Sequence, residues 1–351
     1  MIAQSLPMPT ARQAVITEPY KVAVREVQLG DPAPDQILIA AEYSALSAGT
    51  ELAVYTGSHQ WLQDPKMVDW KFPFRSGYSA AGTVVAVGED FPGGHKPGDR
   101  VSYPGNHASL ELLTVGHERC RVWKMPDDLS FERAAFACVA RYGLGASIRV
   151  GLTLGRSAAV LGLGIIGQFS LRNLIAAGAS PVVGIDAVPM RRAAALVAGA
   201  DHVIDPTAGD AKAQLQAYLA ARGAEVVVDA TGVPAAIPTA MSLACDAGQV
   251  VVVGSPRGKA QDVNFYDDLH RRYIEVTGAH GNMLFEPAHF RLAGHWDIDK
   301  AQRWLLRSLA NGRLSLAGLV THTVAPEQLG EAYEGLLHDK DGYLGVVMKW
   351  K

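Results

Sequence analysis

At residue 160 an apolar run breaks into Gly162-Leu163-Gly164-Ile165-Ile166-Gly167, and nineteen residues after the last glycine a second apolar run closes on Asp186. Three glycines at that spacing, followed by an acid, can cradle a pyrophosphate. The turn at Gly162 is tight because it carries no side chain, Gly164 lets phosphate approach bare backbone, and Gly167 lets the following helix pack closely on its strand. Ile165 and Ile166 sit where that helix opens, with its free N–H groups and positive dipole end facing the anion. A carboxylate at Asp186 can accept hydrogen bonds from both ribose hydroxyls of a dinucleotide, whereas a 2′-phosphate would meet it as a like charge. The expected cofactor is therefore NAD(H) rather than NADP(H). Arg191 and Arg192 follow five and six residues on, where an arginine either serves a 2′-phosphate or is a solvated charge of the next helix.

The elements that must hold this loop are legible around it. Residues 158–161 read as a buried strand, 168–177 as a helix ending at Gly178, and 181–185 as the next strand, which together make a βαβ unit. Val-rich segments at 202–204, 226–229, 249–253 and 274–278 alternate with Ala-rich helical stretches. Six such strands make a doubly wound, Rossmann-type parallel sheet of the α/β class. Upstream, short β-like runs at 14–16, 36–43, 80–87, 100–103 and 108–115, broken by Gly, Pro and Asp, read as a β-rich domain. After about residue 281, helices are expected around 300–309 and 326–337, then a strand at 345–349 that returns to the N-terminal domain. The expected division is 1–130 with 285–351 as one domain and 131–284 as the nucleotide-binding domain.

With 351 residues, 48% hydrophobic and 19% charged, the chain is long enough for two cores and has the balance of a soluble globular enzyme. A net charge of −3 without a basic block gives no electrostatic reason to expect nucleic acid. No apolar run reaches the roughly 18–20 residues of a membrane span, and the first twelve residues lack the pattern of a secretory leader, so a cytoplasmic protein without a membrane partner is expected. Cys120, Cys138 and Cys245 are scattered and odd in number, which argues against a disulfide framework and a four-cysteine zinc lobe.

Other segments carry a family resemblance that covers nearly the whole chain. Gly82-Thr83-Val84-Val85-Ala86-Val87-Gly88, Lys96-Pro97-Gly98-Asp99-Arg100-Val101, the loops Asp229-Ala230-Thr231-Gly232 and Val253-Gly254-Ser255, and Leu319-Val320-Thr321-His322 followed by Glu331-Ala332-Tyr333 resemble the medium-chain dehydrogenase/reductase superfamily, in its alcohol and sorbitol dehydrogenase group. That resemblance implies a GroES-like β-rich catalytic domain beside the Rossmann domain. It also implies cofactor contacts at Thr231, Gly232, Gly254 and Ser255. In zinc-bearing members a cysteine, a Gly-His-Glu and a later Cys, Glu or Asp hold the catalytic metal. Here Ser47 stands for the cysteine, and Tyr78 and Ser79 stand for the histidine and glutamate. Cys138 lies near the third position, and one thiolate does not hold a Zn²⁺ that needs three protein ligands. His59, His95, His107 and His117 show no zinc-site spacing, so a zinc-independent member is expected.

Without a Lewis acid, hydride transfer to or from a carbon–oxygen bond needs a positioned proton donor or acceptor. Tyr78 is the first candidate, the alternative being an aromatic that plugs the ligand position; as a base it needs a nearby cation, for which Lys71, Arg75 and Arg141 are available. Ser47 and Thr50 either relay a proton or cap a helix. Glu51 is either an acid/base or a complement to a helix dipole. His107, in Gly105-Asn106-His107-Ala108, resembles a loop that approaches the substrate in relatives. The long segment 55–74, with Trp61, Trp70, Phe72 and Phe74, either shapes a pocket for a ring or packs itself down. The function these features suggest is an NAD(H)-dependent alcohol dehydrogenase or ketoreductase acting on a polyhydroxylated or cyclic small molecule. Alternatives are a reductase of activated C=C bonds and a non-catalytic NADH-binding sensor. Strand 274–278 reads as a sheet edge, so a homodimer or homotetramer is expected.

Overall fold

The computed structural model describes residues 9–116, 121–285 and 296–351; His117 and Cys120 lie outside them. The chain forms two compact units, one of residues 1–138, 322–337 and 346–351 and the other of 139–321 and 338–345.

The first unit is built on β1 (Thr10–Glu18), β2 (Lys21–Gln28), β3 (Gln36–Ala45), β4 (Phe74–Arg75), β5 (Ala80–Val87), β6 (Arg100–Tyr103), β7 (Leu110–Thr114) and β8 (Trp123–Lys124). β3 is its axis. Its Ile37-Leu38-Ile39-Ala40-Ala41 run is buried on both faces, so it reads as a continuous apolar strand. It pairs antiparallel with β5 along one edge. Its other edge is shared by β7 at residues 36–40 and by the last strand, Gly345–Lys349, at 43–45. The returning C-terminal strand is thus present, as the sequence suggests. Ile37, Ile39, Val84, Val101 and Tyr103 fill the core beneath. β2 was not expected; it pairs with β1 over its length, but no residue in it is buried, so it lacks the apolar face that marks a strand in sequence.

The second unit carries β9 (Ala158–Leu161), β10 (Val182–Ile185), β11 (His202–Ile204), β12 (Ala224–Asp229), β13 (Ala244–Val252) and β14 (Glu275–Gly278). They form one parallel sheet in the order β11-β10-β9-β12-β13-β14, the doubly wound arrangement. Ala159, Leu161, Val183, Ile185, Val227 and Val250 are buried in its core, which is why these strands read as short Val-rich runs. The helix Ile298–Ala310 belongs to this unit. The segment after it is held by Arg172, whose guanidinium donates to the carbonyls of Ser315 at 2.8 Å and Ala317 at 3.0 Å. No helix among the described residues is long and apolar enough to cross a membrane.

Candidate functional site

At the C-terminal ends of the parallel strands, β9 runs into Gly162 at φ +85°, and helix α4 of this unit (Ile165–Ala176) follows with Gly164 as its N-cap. A Cβ on Gly167 would stand 1.8 Å from the Gly162 carbonyl oxygen, so the helix lies directly on the loop and only glycine fits. Beside Gly164 a Cβ would meet nothing within 4 Å: that flank is open, and no side chain caps the helix N-terminus. Backbone N–H groups at an open helix start suit a pyrophosphate. Thr231-Gly232 after β12 and Gly254-Ser255 after β13 close on the same edge; Gly254 packs so tightly that a Cβ would fall 2.3 Å from the Gly232 nitrogen. Asp229 orients Thr231 by accepting from its N–H at 2.9 Å and its hydroxyl at 2.7 Å, and burial pushes the Asp229 carboxyl up from the usual range.

Asp186 follows β10 and lies against the glycine turn. Its Oδ2 accepts from Leu163 N–H at 2.7 Å and its Oδ1 from Val188 N–H at 2.8 Å, which fixes the carboxylate and leaves a lone pair on each oxygen. Arg192 is turned to the Asp186 carbonyl and to Asp205 at 2.9 Å, whereas Arg191 Nη1 stands 3.8 Å from Asp186 Oδ2.

In the first unit, a second group of side chains converges from five segments. Helix α1 (Ala48–Tyr55) starts after β3, with Ser47 at its N-cap. The Ser47 side chain does not cap it; the hydroxyl is hydrogen-bonded to the phenol of Tyr78. The N-terminus is served instead by Glu51, whose Oε1 accepts from Ser47 N–H at 2.9 Å. Glu51 Oε2 is 3.0 Å from His107 Nε2 and accepts from Tyr333 OH at 2.7 Å. His107 Nδ1 is 2.8 Å from Ser44 Oγ, which also accepts from Trp350 Nε1 at 2.9 Å. Tyr333 OH stands 3.1 Å from Ser76 Oγ; with its own proton on Glu51, it accepts there. Ser44, Ser47, Glu51, Ser76, His107 and Tyr333 are all buried. If Ser44 donates to Nδ1, Nε2–H donates to the carboxylate and every polar atom has a partner. Burial and the charge of Glu51 push the Tyr333 phenol well above its ordinary value, so it remains a donor.

This network holds the Ser47 turn and the Tyr78 turn together. His107 N–H donates to the Ser76 carbonyl at 2.8 Å, Asn106 Nδ2 donates to the Gly77 carbonyl at 2.9 Å, and a Cβ on Gly77, at φ +93°, would strike His107 N at 2.7 Å.

The residues at the positions of a family zinc site do not fit the ion. Ser47 and Tyr78 are bonded to each other, and Ser79 Oγ donates to the Ala135 carbonyl. Among the described residues no three His, Cys, Asp or Glu side chains gather to hold a metal.

Residues 166–294 match the family described as "Zinc-binding dehydrogenase". The 2-desacetyl-2-hydroxyethyl bacteriochlorophyllide A dehydrogenase of Cereibacter sphaeroides is 29% identical over 96% of this chain and 97% of its own. The sorbitol dehydrogenase of Bacillus subtilis is 26% identical over 96% of each. A solved structure from Sinorhizobium meliloti, described as a zinc-binding dehydrogenase and bound to NADP, has the same fold, with a TM-score of 0.78 at 20% identity over 97% of this chain and 99% of that one. Along nearly its whole length the chain is thus similar to dehydrogenases of the alcohol and sorbitol type. Its six-stranded parallel sheet and separate β-rich domain are the fold of the solved structure it matches.

Within the first unit the sequence candidates fall into distinct places. Ser47 and Tyr78 meet; Glu51 and His107 meet one shell behind them, enclosed; Thr50 lies half-buried on α1. Of the cations proposed for Tyr78, Arg75 is engaged by Glu111 at 3.3 Å and Lys71 is exposed. The aromatics of 55–74 pack on one another, with Trp70 stacked at 4.3 Å on His59 and 5.0 Å from Phe74. Trp70 and Phe74 also border a cavity of about 630 Å³ shared with Arg75, Asn106 and Glu111. Sequence reading missed Ser44, Ser76, Tyr333 and Trp350. The available signal was a lone serine within the buried run of β3, and a tyrosine on the buried face of the helix Leu329–His338.

Proposed function

We propose that the protein is a metal-free, NAD(H)-dependent oxidoreductase that interconverts a secondary alcohol and a ketone on a polyhydroxylated or cyclic small molecule. The observation that carries this reading is the Ser47–Tyr78 hydroxyl pair standing where zinc-bearing relatives place metal ligands. A bound nicotinamide supplies or accepts the hydride. In the reductive direction Tyr78 donates its phenolic proton to the developing alkoxide, and Ser47, as its hydrogen-bond partner, donates to the phenolate that remains. In the oxidative direction the same pair accepts the alcohol proton. Glu51, His107, Tyr333 and Ser76 hold the two turns and do not touch substrate, since they are enclosed. NAD(H) over NADP(H) rests on the anchored Asp186 carboxylate; Arg191 beside it makes both cofactors part of the test.

The test is metal content together with NADH and NADPH titration on one sample, followed by Tyr78→Phe and Ser47→Ala. The expected result is sub-stoichiometric zinc, tighter NADH, and a loss of kcat of about 100-fold or more in Tyr78→Phe with NADH affinity retained. One tightly held zinc per chain, or full activity in Tyr78→Phe, overturns the reading.

A further inference from the structure

Two acids stand at the C-terminal ends of parallel strands, and the fold treats them differently. Asp186, just after β10, has a backbone N–H on each oxygen and Arg191 3.8 Å away. Asp229, the last residue of β12, is 1% exposed. Its Oδ1 accepts both bonds from Thr231, and its Oδ2 has no hydrogen-bond partner. No cation among the described residues acts on it; burial and the Thr231 bonds are what bear on its carboxyl. The glycine turn at 162–164, the Thr231-Gly232 turn and the Val253-Gly254-Ser255 turn, which bonds the Asp229 carbonyl, contain no charged side chain. A buried carboxylate left half-satisfied in this way attracts positive charge brought near it.

Its place shows where such charge arises. In the sheet order β10-β9-β12-β13, Asp186 and Asp229 stand on opposite sides of β9 and its glycine turn. The Thr231 turn touches that glycine turn, since a Cβ on Gly162 would stand 3.0 Å from Thr231 Cα. A dinucleotide with its pyrophosphate on the glycine turn and its adenosine ribose at Asp186 has its nicotinamide half on the Asp229 side. The oxidised nicotinamide ring carries a positive charge that the reduced ring lacks, and every other group is common to the two forms.

We propose that Asp229 discriminates between the oxidised and reduced cofactor, favouring the oxidised form through the attraction of its buried carboxylate for the nicotinamide cation. The proposal rests on the dehydrogenase reading and adds a direction to it: a protein that holds the oxidised cofactor and releases the reduced one is set for oxidation of the alcohol. Asp229 is enclosed and acts through its field, which a water-poor interior transmits further than bulk solvent does. Pyrophosphate repels it equally in both forms, so the ratio of the two affinities isolates the ring. Burial delays ionisation of the carboxyl, so the discrimination grows as pH rises through its titration.

The experiment measures Kd for NADH and NAD⁺ by calorimetry from about pH 5 to pH 8 in wild type, Asp229→Asn and Thr231→Val, using NADPH and NADP⁺ if that pair binds more tightly. Asp229→Asn keeps the size and an acceptor for Thr231 and removes the charge. The ratio of the reduced to the oxidised Kd is expected to rise with pH in wild type, to be about threefold or more lower in Asp229→Asn at the upper end, and to stay flat there. Thr231→Val keeps the charge and should keep the ratio at the upper end. Asp229→Asn changing both affinities by one factor, the signature of a structural role, overturns the proposal. So does a ratio lost in Thr231→Val, which would assign the effect to the position of the turn. A wild-type ratio that does not rise with pH overturns it without any variant. A wild type that binds no nicotinamide nucleotide overturns the dehydrogenase reading as well, whereas the other failures leave that reading standing.

Discussion

A serine at a helix N-cap usually accepts from the backbone. Ser47 leaves that task to Glu51 and turns its hydroxyl to Tyr78, which is why the pair is read as chemistry. Glu51 takes the protons of three donors on two oxygens. Glu51→Ala leaves these buried donors without an acceptor and should therefore lower stability by several kcal/mol, at about 1–3 kcal/mol for each unsatisfied group, in chemical denaturation. Glu51→Gln, which keeps the volume and an acceptor toward Ser47, should lose less; equal losses would show that the charge matters and the retained volume and acceptor do not. In the second unit, Asp186→Ala should weaken NADH and relax discrimination against NADPH, checked by paired fluorescence titrations. An unchanged ratio would remove Asp186 from cofactor choice.

At the scale of elements, legibility followed locality. The six parallel strands and the glycine turn were readable because each is specified within a few residues: an apolar run, a glycine, a helix start. Ser47, Tyr78, Glu51 and His107 were singled out by type and resemblance, but their division into an outer hydroxyl pair and an enclosed acid–imidazole pair depends on burial, which no short window encodes. Tyr333 reaches Glu51 across 282 residues of sequence, so nothing near it announces the contact. β2 went unread for the opposite reason, having no buried face at all. Gly77 is the element-scale test. A side chain there must adopt φ +93° and meet His107 N, so Gly77→Ala should cost more than the roughly 1–3 kcal/mol of backbone strain alone and displace Tyr78. A fall in melting temperature with lost turnover would agree, and a neutral outcome would show that the turn relaxes freely.

For the whole molecule, buried phenols set an alkaline limit. Tyr333 and Tyr103 both titrate well above 10.0 in the folded chain, chiefly through desolvation. Above that ordinary value the unfolded chain loses protons that the folded one keeps, so stability is intact below about pH 10 and falls as pH rises further. Melting curves between pH 8 and 11 should show the decline, and Tyr333→Phe should shallow it. Self-association is a proposal at the same scale: β14 ends the parallel sheet with Val276 39% exposed, an edge that a second copy can extend. Light scattering should report a dimer or tetramer that Val276→Lys disrupts; a monomeric wild type would remove the edge from consideration.

The bond from Trp350 to Ser44 spans 306 residues, and that distance sets an order of events during synthesis. Ser44, Glu51, Ser76 and His107 leave the ribosome early, yet the groups that complete their enclosure, Tyr333 and Trp350, emerge only after the entire parallel sheet between them has been translated. The sheet, whose six strands all lie within residues 158–278, can fold on the nascent chain. The first unit must wait with an acid and an imidazole uncovered, and it becomes whole only when the final strand inserts beside β3.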